Sequence, residues 1–100
     1  MFGDLMGNLE QQQAEMHKKL SQFVIEFEME GIKIIGNAAR EITNVSISDD
    51  LWAENEKEKI EDLMLIAINR FLEKSAKVEV EESGKMMSDM LPPGFGDLFK

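Results

Sequence analysis

Between Phe23 and Ser48 the chain alternates. Phe23, Ile25, Phe27 and Met29 interleave with Val24, Glu26, Glu28 and Glu30, a period of two with one apolar and one mostly acidic face. Gly31 interrupts, Ile32-Lys33-Ile34-Ile35 follows, and Gly36-Asn37 punctuates before a third run in which Thr43, Val45 and Ile47 share a side. The pattern predicts three short strands over 23–48. Three strands with one polar face are not stable alone, so the flanking segments must cover the apolar side.

Both flanks carry helical spacing. Phe2, Met6, Leu9, Gln13, Met16, Leu20 and Phe23 recur at intervals of four and three, predicting a helix over 1–22 with a narrow seam. Glu15 and Lys19 are ordered for an i,i+4 pair within it. After the strands, Ser48-Asp49-Asp50 reads as a turn, Trp52 as a packing lid, and Asn55 with Glu58 as a capping box. A long helix is predicted over 52–83, ending near Gly84, with Glu73 and Lys77 as an i,i+4 pair. Val78 and Val80 alternate with acids, so a short strand there is the competing expectation. The two prolines at 92 and 93 forbid helix and impose an extended Pro/Gly/Phe tail over 91–100.

The long helix is apolar on two stripes, Ile60, Leu63, Met64, Ala67 and Phe71 on one and Leu65, Ile68 and Leu72 on the other. One stripe can face the sheet. In a chain of 100 residues little remains to cover the second, and a further copy of the chain is the economical answer. Leu63, Leu65, Ile68, Phe71 and Leu72 are the candidates for that dimer interface.

Composition narrows the chemistry. There is no Cys, so neither a disulfide scaffold nor thiolate catalysis is open to the chain, and a reducing cytoplasm suits it. No window approaches a membrane span and no export signal precedes the first helix, so a soluble, unexported protein is expected. The single His17 has no Ser or Cys partner in any motif, and no phosphate-binding glycine loop or metal-ligand spacing occurs. Glu26, Glu28 and Glu30 form a row along one strand face, which is a solvated ladder and not a metal cage. Catalysis, a small-molecule substrate, a metal and a cofactor are therefore not expected. Eleven basic against twenty acidic residues give a net charge of -9, which taken alone disfavours nucleic acid. Fields of exposed charges fade over about 8 Å at physiological salt, so local patches act independently of that total.

The order of elements, with several short motifs, resembles the YbaB/EbfC family of bacterial nucleoid-associated proteins. Met1-Phe2-Gly3 with Gly7-Asn8-Leu9 and a Gln/Met-rich helix is similar to that family's N-terminus. Ile32-Lys33-Ile34, Asn37-Ala38 and Val45-Ser46-Ile47 resemble its second and third strands with their turn. Glu61-Asp62-Leu63 through Ala67 and Asn69 resembles its long helix, and Met90-Leu91-Pro92-Pro93-Gly94-Phe95 its C-terminal signature. The chain departs from the pattern in its tight Glu30-Gly31 connection and its heavy acidity. The resemblance implies an α+β fold: arm helix, three-stranded antiparallel sheet and long helix in a single domain over 1–90. It further implies a tweezers-like homodimer that binds duplex DNA with little or loose sequence preference. The implied roles are nucleoid organisation and gene regulation in the cytoplasm.

On that reading the DNA contacts must come from local basic clusters. These are Lys18 and Lys19 at the base of the arm, Lys33 and Arg40 on the sheet, and Arg70, Lys74, Lys77 and Lys85 along the second helix. Residues 63–78 hold three basic side chains and one acid inside an acidic chain. Contacts of this kind go to phosphate and carry no sequence readout. The rival expectation is an acidic dimeric protein-interaction module whose arms, lined by Met6 and Met16, grip another protein without DNA.

Overall fold

The computed structural model describes residues 2–90, with the side chains of 2–6, 86, 87, 89 and 90 outside the description. The expected Pro/Gly/Phe tail over 91–100 also lies outside the described residues. The elements run α1 (Phe2–Ser21), β1 (Val24–Met29), β2 (Ile32–Asn37), β3 (Ile42–Ile47), α2 (Asp49–Ala53) and α3 (Lys57–Met90). The strands form one antiparallel sheet in the order β1-β2-β3. The fold is α+β, helix, three-stranded antiparallel sheet and long helix, as the periodicity and the resemblance imply.

Register sorts the strand residues by face. Phe27 pairs with Ile34 and Met29 with Ile32, while Ile34 pairs with Val45 and Ile32 with Ile47. One face is thus apolar throughout, and Glu26, Glu28 and Lys33 lie on the other. Glu30 does not extend the acidic row. With Gly31 it forms the two-residue turn between β1 and β2, at φ 45° and 94°, the positive dihedrals that a tight hairpin requires.

The apolar face is covered by α3, whose buried positions Leu63, Ala67 and Phe71 are spaced by four. They close on Ile25, Ile32 and Ile34, with Leu20 of α1, Ala38 and Leu51 completing the core. Each large apolar side chain so covered contributes roughly 1.5–3 kcal/mol. Leu63 and Phe71 are therefore core residues within the single chain, and Phe71, at 0% exposure, has no surface to offer a second copy. The helix packs on β1 and β2 and leaves β3 largely open, with Val45 43% exposed.

The second helical region departs from a single helix starting at residue 52. Ser48 accepts a hydrogen bond from the Leu51 amide at 3.2 Å and so caps the short α2. Asn55 takes φ 57° after it, which breaks the helix, and α3 restarts with the Ile60 amide donating to the Glu56 carbonyl. Asn55 is thus the residue that ends α2, not the cap of α3. Trp52 is no lid: on this short helix it is 68% exposed. At the other end α3 passes through Gly84 to Met90 and takes in Val78 and Val80 as helix. A glycine inside a helix costs about 1 kcal/mol, too little to stop one that is otherwise supported.

At 34 residues α3 is about 51 Å long, more than twice the span of a six-residue strand. It overshoots the sheet and meets the C-terminal end of α1. Among the described α1 side chains only Leu20 is buried, with Met16 and Ser21 half-buried. The rest of α1 leaves the body as a projecting arm.

Candidate nucleic-acid interface

Residues three and four apart share a helix face, and by that spacing Arg70, Lys74, Lys77 and Lys85 fall on one flank of α3. Lys74 fixes the direction of that flank: its Nζ donates to the Glu26 carbonyl at 2.8 Å, on β1. The opposite flank carries Leu65, Ile68, Leu72 and Ala76. It is turned toward the β3 side, since Leu72 and Ala76 line a cleft together with Arg40 of the β2–β3 turn. The cationic and apolar rows thus occupy different flanks of one helix, with exposed Ile66 and Val80 and the acid Glu81 standing three or four residues from the cations.

Between the flanks, the buried stripe of α3 changes chemistry beyond Phe71. The next buried positions are Ser75 and Glu82. Ser75 Oγ donates to the Asn37 carbonyl at 2.9 Å, and Asn37 Oδ1 accepts from the Ala39 amide at 2.9 Å, which shapes the β2–β3 turn. The turn presents Arg40, at φ 63°, to Glu79. The guanidinium binds that carboxylate through two nitrogens, Nε at 2.9 Å and Nη2 at 3.2 Å.

One turn further along α3, Glu82 is held by two lysines. Lys19 of α1 lies 3.3 Å from its Oε2 and Lys85 3.2 Å from its Oε1, and the Glu82 side chain is only 10% exposed. The hydrogen bond from Lys85, then that from Lys19, holds the Glu82 carboxyl below the usual glutamate range against the opposing effect of burial. Lys19 therefore does not pair with Glu15 inside its own helix; Glu15 takes a hydrogen bond from Gln11 at 3.4 Å.

The remaining candidates are placed as follows. Lys33 pairs with Glu26 at 3.0 Å across the outer sheet face, and that hydrogen bond holds its ammonium above the usual lysine range. Arg70 pairs with Glu73 at 3.2 Å, so Glu73 is engaged there and not with Lys77. Among the described residues, Lys18, Lys74 and Lys77 have no ion-pair partner, and of these Lys74 alone is engaged, by the Glu26 carbonyl.

The end of the molecule around α2 has the opposite character. An open cleft there is lined by Glu30, Glu56, Glu58 and Asp62 against Lys57 and Lys59. Lys59 is engaged by Glu54 at 2.9 Å and Lys57 by Glu61 at 3.7 Å. This end repels a phosphate backbone. Among the described residues no group of three or more His, Cys, Asp or Glu side chains is placed to hold a metal, and no helix is long and apolar enough to cross a membrane.

Glu79, Glu82, Ser75 and Asn37 organise this region and were not legible as site residues. Apart from Lys85, which stands i,i+3 to Glu82, their partners lie about 40 to 60 positions away in the chain, and no local pattern reports such a pairing. One signal was available. The buried spacing of α3 continues past Phe71 with polar residues, which requires polar partners from elsewhere in the chain.

Comparison with known proteins gives the same direction. A nucleoid-associated protein of Neisseria gonorrhoeae (strain NCCP11945) is 36% identical over 107 aligned positions, covering 99% of this chain and 95% of that protein. A nucleoid-associated protein of Neisseria meningitidis serogroup B is 36% identical over 111 positions with the same coverage. The family model for YbaB/EbfC DNA-binding proteins matches residues 1–90, which takes in every element from α1 to α3. The chain belongs to the YbaB/EbfC DNA-binding family.

Proposed function

We propose that two copies of this chain form a tweezers-shaped dimer that binds duplex DNA through its phosphates, with little sequence preference, and so takes part in nucleoid organisation and gene regulation. The observation that carries the reading is that the row of cations and the row Leu65, Ile68 and Leu72 stand on opposite flanks of α3. The cationic flank, Arg70 through Lys85, spans 16 residues, about 22 Å of helix, long enough to follow several phosphates. The apolar flank, Leu65, Ile68 and Leu72, lies on the side of α3 away from Lys74 and is free to meet a second copy without covering the cations of the opposite flank. The projecting α1, with Lys18 and Lys19 at its base, supplies the arms. Membership of a DNA-binding family, with relatives named as nucleoid-associated, supports the ligand and a location on the nucleoid.

The contacts are to backbone, because no aromatic side chain interrupts the cationic flank to stack on bases. Lys18 and Lys77 bring charge that neither an acid nor, as at Lys74, a backbone carbonyl of the described residues engages, so they are the strongest single contributors. Titration of unrelated duplexes over a range of salt tests this. Affinity is expected to fall with a log–log slope of about -0.9 per phosphate neutralised. Lys18→Glu and Lys77→Glu should each weaken binding to every duplex alike, while Lys57→Glu at the acidic end leaves it unchanged. Binding that ignores salt and both substitutions would favour arms that grip a protein instead.

A further inference from the structure

At the junction of α1, the β2–β3 turn and α3, three cations stand over two carboxylates. The side chains of Lys19, Arg40 and Lys85 are 45%, 56% and 70% exposed, whereas those of Glu79 and Glu82 are 31% and 10% exposed. The acids lie underneath and the bases face outward. Each carboxylate occupies the inward donors of its cations at 2.9–3.3 Å, the distances at which a phosphate oxygen would sit. A phosphate arriving from solvent either displaces the carboxylate or shares its cation while being repelled by it. The Arg40–Glu79 pair is open to solvent and contributes little to folding, so stability alone gives small reason for it.

We infer that Glu79 and Glu82 set the strength of DNA binding: they are internal competitors that hold Lys19, Arg40 and Lys85 in check and keep affinity low and easily reversed. The inference rests on the DNA-binding reading above. It accounts for a strongly acidic chain that gathers Lys19, Arg40 and Lys85 at one junction. Phosphate contacts made against these two carboxylates are opposed, as are those of Lys33 by Glu26 and of Arg70 by Glu73, while those of Lys18 and Lys77 are not. Binding then begins at the unpaired lysines and is completed where cations are drawn away from Glu79 and Glu82.

Glu79→Gln, Glu82→Gln and the double variant test this, with Glu58→Gln as control. Glu58 lies in the first turn of α3, has no ion pair among the described residues, and gives the same change in net charge. Binding to one fixed duplex is measured at several salt concentrations. Each junction variant is expected to bind roughly two- to five-fold more tightly, the range set by an exposed ion pair. The double variant should also show a salt slope steeper by about one per phosphate newly engaged. Glu58→Gln should match the parent. Thermal unfolding checks each fold; if Glu82→Gln does not fold, the more exposed Glu79 carries the test alone. Parent and junction variants binding with equal affinity and slope would overturn the inference and leave the DNA reading standing. So would an equal gain from Glu58→Gln, which makes net charge the cause. Absence of binding by every protein at low salt would remove the DNA reading and this inference with it.

Discussion

Gly36 lies in β2 at the irregular register with β3, directly beneath the ring of Phe71. A Cβ at this position would stand 2.4 Å from Phe71 Cζ and 2.1 Å from the Glu41 carbonyl oxygen, and neither neighbour is a flexible side-chain end. The close approach of helix and sheet thus depends on a hydrogen atom being there. Gly84, on the far part of α3, has nothing within 4 Å of the same position. One substitution should therefore act with opposite sign at the two sites. Gly36→Ala is expected to destabilise by about 1–3 kcal/mol, the usual cost of overpacking. Gly84→Ala is expected to stabilise by roughly 0.5–1 kcal/mol, because alanine loses less backbone freedom in a helix. Urea unfolding of both variants reads the difference; destabilisation by Gly84→Ala would show an unseen contact along α3.

At the scale of elements, the joint between α1 and α3 is the polar one. Leu20 anchors the end of α1 in the core, and beyond it the helices are tied by Glu82 and its two lysines. The depressed Glu82 carboxyl gives this joint a pH dependence. A carboxyl lowered in the folded state contributes stability that is present above its unfolded value near 4.5 and is lost as pH falls through the folded one. Acidification below about pH 4.5 should therefore loosen α1, and amide exchange near Lys19 should rise there first. Glu82→Gln should show no such step in that window. None of this joint was legible in the sequence, although the elements were. Alternation gave the three strands, because one face must be buried and a shift of one residue would expose it. The four-residue spacing gave the core of α3 for the same reason. Asn55 and Glu58 have the spacing of a capping box, yet Ser48 caps first and Asn55 adopts the left-handed conformation that ends α2. Local patterns compete, and only the packed chain decides between them. Glu15–Lys19 and Glu73–Lys77 were equally reasonable pairs by spacing, but Lys19 and Glu73 found other partners. In the site itself, sequence marked the cations and not the acids beneath them.

As a whole, the protomer is extended. Its radius of gyration is 19.0 Å, against about 13 Å for a compact domain of 100 residues, and its axes measure 60, 35 and 18 Å. So open a shape buries less apolar surface than its length would allow, and what stays outside is informative. Leu65 is 62% exposed on the flank of α3 that lies away from Lys74. A lone exposed leucine needs no explanation, but this one continues a row with Ile68 and Leu72 that the sheet only half covers. If that row closes against its counterpart in a second copy, folding and association are linked, and the stability of the protein depends on its concentration. Each tenfold rise in protein should then add about 1.4 kcal/mol per dimer, seen as a steady upward shift of the unfolding midpoint. Leu65→Glu places a charge where the two rows meet and should abolish the shift while leaving Phe71 and the sheet packed. Sedimentation of that variant should give the protomer mass at concentrations where the parent gives twice that mass. A parent midpoint that stays fixed over a hundredfold range of concentration, with a single protomer mass, would mean that the open flank of α3 faces solvent.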